Sequence, residues 1–237
     1  LAALREIDGG TVLAGGQALP VTIRFDRRAR RLILRLTEDG VRVTCPGRHH
    51  QRAALEMVEA RRGWIEARLA ERPVPVPFAI GACLPLFGRD RVIRAAASTR
   101  SAARLEGDAI MTGGGDAAAV ARRVEALVRT EAKRTLQAES DRLAAKLGLP
   151  PCPVSVRRMR SRWGSCSSAP ALSYDWRLAF APPEVLAYVA AHEVAHRRHM
   201  DHSARFWRLV AELMPGWKPA DGWLRANGRT LYAYGTS

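Results

Sequence analysis

His192-Glu193-Val194-Ala195-His196 sets two imidazoles four residues apart, with a carboxylate directly after the first. On a helix such positions lie about one turn apart on one face, so both rings can reach a single metal ion. Glu193, one position further round, is turned toward a water on that ion rather than toward the ion itself. Zinc lowers the pKa of such a water to about 7, and a nearby carboxylate can take its proton during attack. The pattern reads as metal-assisted hydrolysis with Glu193 as general base. A helix can also carry two histidines by chance, so the flanking sequence has to supply a third ligand.

Two candidates follow, His199 and His202. If the helix ran on, His192 and His199 would be about 10.5 Å apart along its axis. Three side chains in such a row suit tetrahedral zinc poorly. His202 instead precedes a fresh helix start, with Asp201 or Ser203 as cap and Phe206, Val210 and Leu213 as apolar face. It falls on a turn and can approach from another direction, and the HExxHxxxxxH spacing matches the three-histidine zincin pattern. His192, His196 and His202 are therefore the expected ligands of one Zn2+, and His199 is expected beside the site or on the surface.

The elements that position these residues are legible from period and punctuation. Pro182-Pro183-Glu184 opens the HExxH helix, since proline fits a first turn and an acid there complements the dipole. Before it, Leu172, Tyr174, Trp176, Leu178 and Phe180 alternate with Ser173, Asp175 and Arg177, which predicts a strand over 172–180. Such a strand either offers an edge to an extended peptide or lies inside a sheet. Asp116 caps a long predicted helix that runs to about Leu147, with Gly148 as its stop. Nearer the N-terminus, Val21-Ile23-Phe25, Leu32-Leu34-Leu36 and Val41-Val43 predict short strands, with a turn at Glu38-Asp39-Gly40. A helix is predicted from about Gln51 to Glu71, then a stiff connector over Pro73–Pro77 and more short strands over 78–111. The run Gly113-Gly114-Gly115 predicts the boundary between an N-terminal β-rich region with one helix, 1–115, and a catalytic region, 116–237.

Several stretches together carry a family resemblance: Arg162-Trp163-Gly164-Ser165-Cys166-Ser167-Ser168, Trp176-Arg177-Leu178, Ala181-Pro182-Pro183-Glu184, the HExxH, and His202-Ser203 through Phe206-Trp207. The chain resembles the YgjP-like metallopeptidases along nearly its whole length, from the N-terminal strands and Trp64-Ile65 to Trp223-Leu224 and Gly228. The resemblance implies an α+β fold in which a β-rich region precedes a zincin-like domain. It also implies kinship with SprT-like and Wss-type proteases that act on DNA-bound proteins. It carries His192, His196 and His202 over as zinc ligands and Glu193 as the acid–base residue. Asp175 and Asp201 stand where the family tends to have Asn.

Composition bounds the partners. Hydrophobic residues make up 47% and charged residues 26%, an ordinary globular balance. Cys45, Cys83, Cys152 and Cys166 form no close pairs, so neither a disulfide framework nor a metal knuckle is expected, and a reducing cytoplasm is. No apolar run spans a bilayer, and Leu1–Glu6 lacks the layout of a secretory signal. The net charge of +15 raises nucleic acid as a partner, although an arginine-rich, GC-rich codon bias accounts for much of it. Arg160, Arg162 and Arg177 are candidates for oxyanion stabilisation, with solvated strand charges as the plainer reading. Cys166 is expected to be a small packing residue, and Trp163, Trp207, Trp217 and Trp223 core. The leading expectation is a zinc metallopeptidase acting on a protein or peptide. The alternatives are a metal-dependent nucleotide or phosphoanhydride hydrolase and a non-catalytic, nucleic-acid-associated zinc protein.

Overall fold

A computed structural model describes residues 5–37, 39–167, 169 and 171–235. Leu1–Leu4, Glu38 of the expected turn and Ser168 of the Arg162–Ser168 stretch lie outside them. The chain divides into two compact units, Leu1–Arg72 and Pro73–Ser237.

In the first unit, β1 (Arg5–Ala14) and β2 (Gln17–Phe25) form a hairpin. Its turn is Gly15-Gly16, both at positive φ, the conformation a tight hairpin needs and glycine adopts without strain. β3 (Ile33–Thr37) and β4 (Gly40–Cys45) complete a sheet in the order β1-β2-β4-β3, with β4 parallel to β2 and antiparallel to β3. Val21, Ile23, Val41 and Val43 share one buried face, as the alternation predicts. Ala54, Val58 and Ile65 cover it. The single helix expected over 51–71 is two, α1 (Gln51–Ala60) and α2 (Arg62–Ala70). Arg61 leaves helical geometry at φ −103°, ψ 14°, and Gly63, a weak helix former, follows it.

The second unit begins at the proline-rich connector, not at the triple glycine. β5 (Cys83–Leu86), β6 (Arg89–Ala95), β7 (Arg104–Glu106) and β8 (Ala109–Thr112) form a sheet in the order β5-β6-β8-β7. Its Leu84, Leu86, Ile93 and Ile110 are fully buried in the same core as the following helix, so the boundary expected at 115 falls at Arg72–Pro73. The glycine run has a packing role: a Cβ on Gly113 would collide with the backbone of Thr99 and Ser101.

α3 (Ala117–Lys146) starts where the Asp116 carboxylate accepts from the Ala119 amide at 2.6 Å and ends before Gly148, which sits at φ +64°. Val120, Val124, Val128, Ala132 and Leu136 make a buried stripe one turn apart. The Gln137 side chain ties this helix to the next strand, donating to the Cys152 carbonyl at 3.0 Å and accepting from the Val154 amide at 3.1 Å. β9 (Val154–Arg157), β10 (Gly164–Cys166) and β11 (Leu172–Asp175) form a second sheet in the order β10-β11-β9. α4 (Pro183–Ala195), α5 (Ala204–Leu213) and α6 (Lys218–Asn227) follow.

The strand expected over 172–180 stops at Asp175, and Trp176–Phe180 is a 3-10 helix. Asp175 turns the chain. Its carboxylate accepts from the amides of Arg177 at 2.9 Å and Met159 at 2.7 Å. Asp175 and Arg177 are both fully buried, so they are not the solvated strand charges expected from alternation. The guanidinium lies 3.6 Å from the Asp175 carboxylate, donates to the Tyr234 carbonyl at 2.9 Å, and stacks over Trp176 and Tyr232. Removing one partner of a buried ion pair strands the other. Asp175→Ala is expected to destabilise the fold by about 3–5 kcal/mol, read as the shift in urea midpoint. A change below 1 kcal/mol, on the order of an exposed pair, would show that the pair is not structural.

Candidate metal centre and its cleft

α4 brings His192 and Glu193 to the site and ends at Ala195. His196 is its C-terminal cap, after which the chain turns through Arg197–Met200 and enters α5 at Ala204. That reversal carries His202 back over the helix end. His192, His196 and His202 bring one ring nitrogen each within 4.8 Å of one another, a group that could hold a metal ion. The Nε2 atoms of His192 and His202 are 3.1 Å apart. Two ligand nitrogens on one tetrahedral zinc ion, each about 2.1 Å from it, are about 3.4 Å apart. Two imidazole lone pairs at this separation repel unless a proton or a cation lies between them. Spacing and donor set both fit a three-histidine metal site with one position left for another ligand.

The surroundings favour the neutral form of His192 and His196. Burial, then the adjacent His196 and His202, pushes the His192 imidazole down to about 4, and burial also lowers His196. A neutral ring presents the lone pair a metal needs. His196 Nδ1 lies 3.0 Å from the His199 carbonyl oxygen. A carbonyl only accepts, so Nδ1 carries the proton and Nε2 keeps the lone pair that a metal would need. His199 thus serves through its backbone, and its ring is not among the three that converge. Phe206, fully buried, floors the site with its ring 4.9, 4.5 and 4.8 Å from those of His192, His196 and His202. Its apolar spacing marks it for the core. Contact with all three imidazoles is set by the turn before α5.

Glu193 is 6% exposed, and burial raises its carboxyl to about 7, partly offset by Arg162 and by a hydrogen bond from the Cys166 amide. β10 lies against it. A Cβ on Gly164 would stand 2.5 Å from both Cγ and Oε1 of Glu193, so only glycine lets the strand pass this close. β11 is the central strand of its sheet, the interior one of the two placements open to it, and β10 forms an edge. The Trp163 carbonyl and the Ser167 amide pair with β11. In an antiparallel ladder the intervening Gly164 and Cys166 therefore turn their peptide groups the other way, and the Cys166 amide bonds to Glu193.

These groups line a cleft of about 430 Å³, walled by Trp163, Tyr188, Val189, Asp221 and Leu224. Tyr188 donates to Asp221 at 2.8 Å and stacks on Trp217, which stacks on Trp207. Of the three candidate arginines, Arg162 lines the cleft; Arg177 is committed to Asp175 and Tyr234. Cys166 also lines the cleft, half-buried and packed against the core. Among the described residues no helix is long and apolar enough to cross a membrane.

The sequence model of the YgjP-like metallopeptidase domain matches residues 30–227. Solved structures similar to this chain include two metallopeptidase zymogens. Abylysin of Pyrococcus abyssi is 24% identical, over 40% of this chain and 96% of that one, with a TM-score of 0.36. Jannalysin of Methanocaldococcus jannaschii is 14% identical, over 40% of this chain and 95% of that one, with a TM-score of 0.35. No curated protein matches.

Proposed function

The chain belongs to the YgjP-like metallopeptidase family, and from that premise we propose that it hydrolyses peptide bonds with one zinc ion on His192, His196 and His202 and Glu193 as general base. The observation that carries this is the convergence of three imidazoles within 4.8 Å beside a buried glutamate that is not one of them. When bound, the ion supplies a water of lowered pKa and polarises the scissile carbonyl. Glu193 takes the proton of the attacking water and returns it to the leaving nitrogen. Its burial and the Cys166 amide hold the carboxylate in place for both transfers. The Cys166 amide being held by Glu193, an extended substrate pairs with the outward peptide groups of Gly164 and with the Cys166 carbonyl, which aligns its backbone along the cleft. Arg162 adds positive potential at the rim, where negative charge develops on the substrate oxygen.

The test is casein cleavage by the zinc-loaded chain, by the chelated chain, and by Gly164→Ala. Chelation is expected to abolish cleavage and one equivalent of zinc to restore it. A methyl on residue 164 displaces the Glu193 carboxylate, and a misplacement of about 1 Å costs on the order of 100-fold in turnover. Zinc-loaded protein that leaves casein intact yet releases phosphate from nucleoside triphosphates would transfer the site to the anhydride reading.

A further inference from the structure

The first unit segregates its charge in a way composition does not require. Between Arg24 and Arg48 there are eight arginines and three acids, Asp26, Glu38 and Asp39. Asp39 lies in the β3–β4 turn, at one end of the sheet. The arginines gather at the other. β2 and β4 run parallel and end there together, where the Asp26 amide bonds to the Cys45 carbonyl, and β3 begins there, with Ile33 opposite Thr44. The connection from Asp26 to Arg31 therefore delivers Arg27, Arg28, Arg30 and Arg31 to the same edge that receives Arg48, whose guanidinium lies over Phe25. On the sheet face that turns away from α1 and α2, Arg35 stands directly opposite Arg42, with Arg24 on the neighbouring strand.

These cations differ from those on the helices. Arg52, Arg62 and Arg68 each pair with a glutamate three or four residues away. Among the described residues, Arg24, Arg27, Arg28, Arg30, Arg31, Arg35 and Arg48 have no such acid. Asp26 spends its carboxylate on the Arg28 amide, and Glu6, which stands opposite Arg24 on β1, is 3.9 Å from Arg42. The Nε of Arg24 is buried without a hydrogen-bond partner. Like charges directly opposite across a sheet destabilise it, and Glu6 and Asp8 on β1 balance only part of the charge, so the arrangement is costly without a further anion.

We propose that this end of the first unit binds the phosphate backbone of double-stranded nucleic acid, without reading its sequence. Three strands span about 10 Å, and that length of duplex carries about six charges. Guanidinium groups pair with phosphate oxygens two bonds at a time. A membrane surface fits less well: the exposed Leu13 lies by the β1–β2 turn, at the opposite end, and the described residues place no exposed large apolar side chain beside the arginines. A single strand needs aromatic platforms for its bases; Phe25 is half-buried beneath Arg48, and the imidazoles of His49 and His50 are packed on each other.

The experiment measures anisotropy of a labelled 20-base-pair DNA duplex with the full chain across a salt series. Two variants accompany it: Arg27→Gln/Arg28→Gln/Arg30→Gln/Arg31→Gln, and a helix control, Arg52→Gln/Arg62→Gln/Arg68→Gln. Wild type is expected to bind with an affinity that falls steeply with salt. The fourfold variant is expected to weaken binding by about 30-fold or more and flatten the log–log salt slope by about 0.9 per arginine removed. The helix control should stay within about threefold, its charges being surface pairs of small worth. Should the fourfold variant fail to fold, Arg30→Gln/Arg31→Gln reads half the slope change. No binding at low salt, equal loss in the helix control, or tighter binding to the single strand, to poly-glutamate or to phosphatidylserine vesicles would overturn the assignment.

Discussion

Glu193→Gln is expected to lower peptide turnover by about 10²–10⁴-fold, the range a positioned acid–base group supplies, while metal content stays at one ion per chain. Glutamine has the same shape, fills the same space under β10 and still accepts the Cys166 amide through its carbonyl oxygen. What it loses is the ability to take up a proton. The variant should also fold as well as the parent. Burial already raises the Glu193 carboxyl to about 7, so a neutral amide there removes a desolvation cost instead of adding one. Steady-state cleavage, metal analysis and thermal unfolding on one preparation separate these effects. Wild-type turnover in a metal-replete Gln variant would remove Glu193 from the chemistry.

His202→Ala should cost the site its metal, whereas His199→Ala should keep it. Three imidazoles converge and the ring of His199 is not one of them. Its contribution is a carbonyl, which alanine retains. Losing an outer partner of a ligand typically costs 10–100-fold in metal affinity; losing a ligand from a three-histidine set should cost more than about 100-fold on the same scale. A competition titration against a chromophoric chelator measures both. Loss of metal in the His199 variant with retention in the His202 variant would reverse the assignment made from the turn.

The α+β class and most element positions follow from period and punctuation, since burial of one face imposes alternation on strands and a one-turn repeat on helices. Asp116 and Gly148 bracket α3 because capping is decided by neighbouring residues. Three features resisted that reading. Trp176–Phe180 alternates like a strand yet coils, because Asp175 caps a turn and both faces of the segment are buried. Gly113 reads as a linker but is a close-approach residue. The edge strand facing the site is three residues long, too short to show a period.

The spacing of the HExxH and the turn before α5 by themselves point to the imidazoles that could share an ion, because helical geometry fixes distances within one turn. The tertiary fold alone decided what surrounds them: Phe206 beneath the rings, the His199 carbonyl on Nδ1, and Gly164 against Glu193. The arginine-lined end of the first sheet is also a product of topology, since parallel β2 and β4 end together where β3 begins. Local sequence dictates which groups can act at short range. Burial, ring orientation and charge convergence depend on segments far apart in the chain, and these meet only through packing.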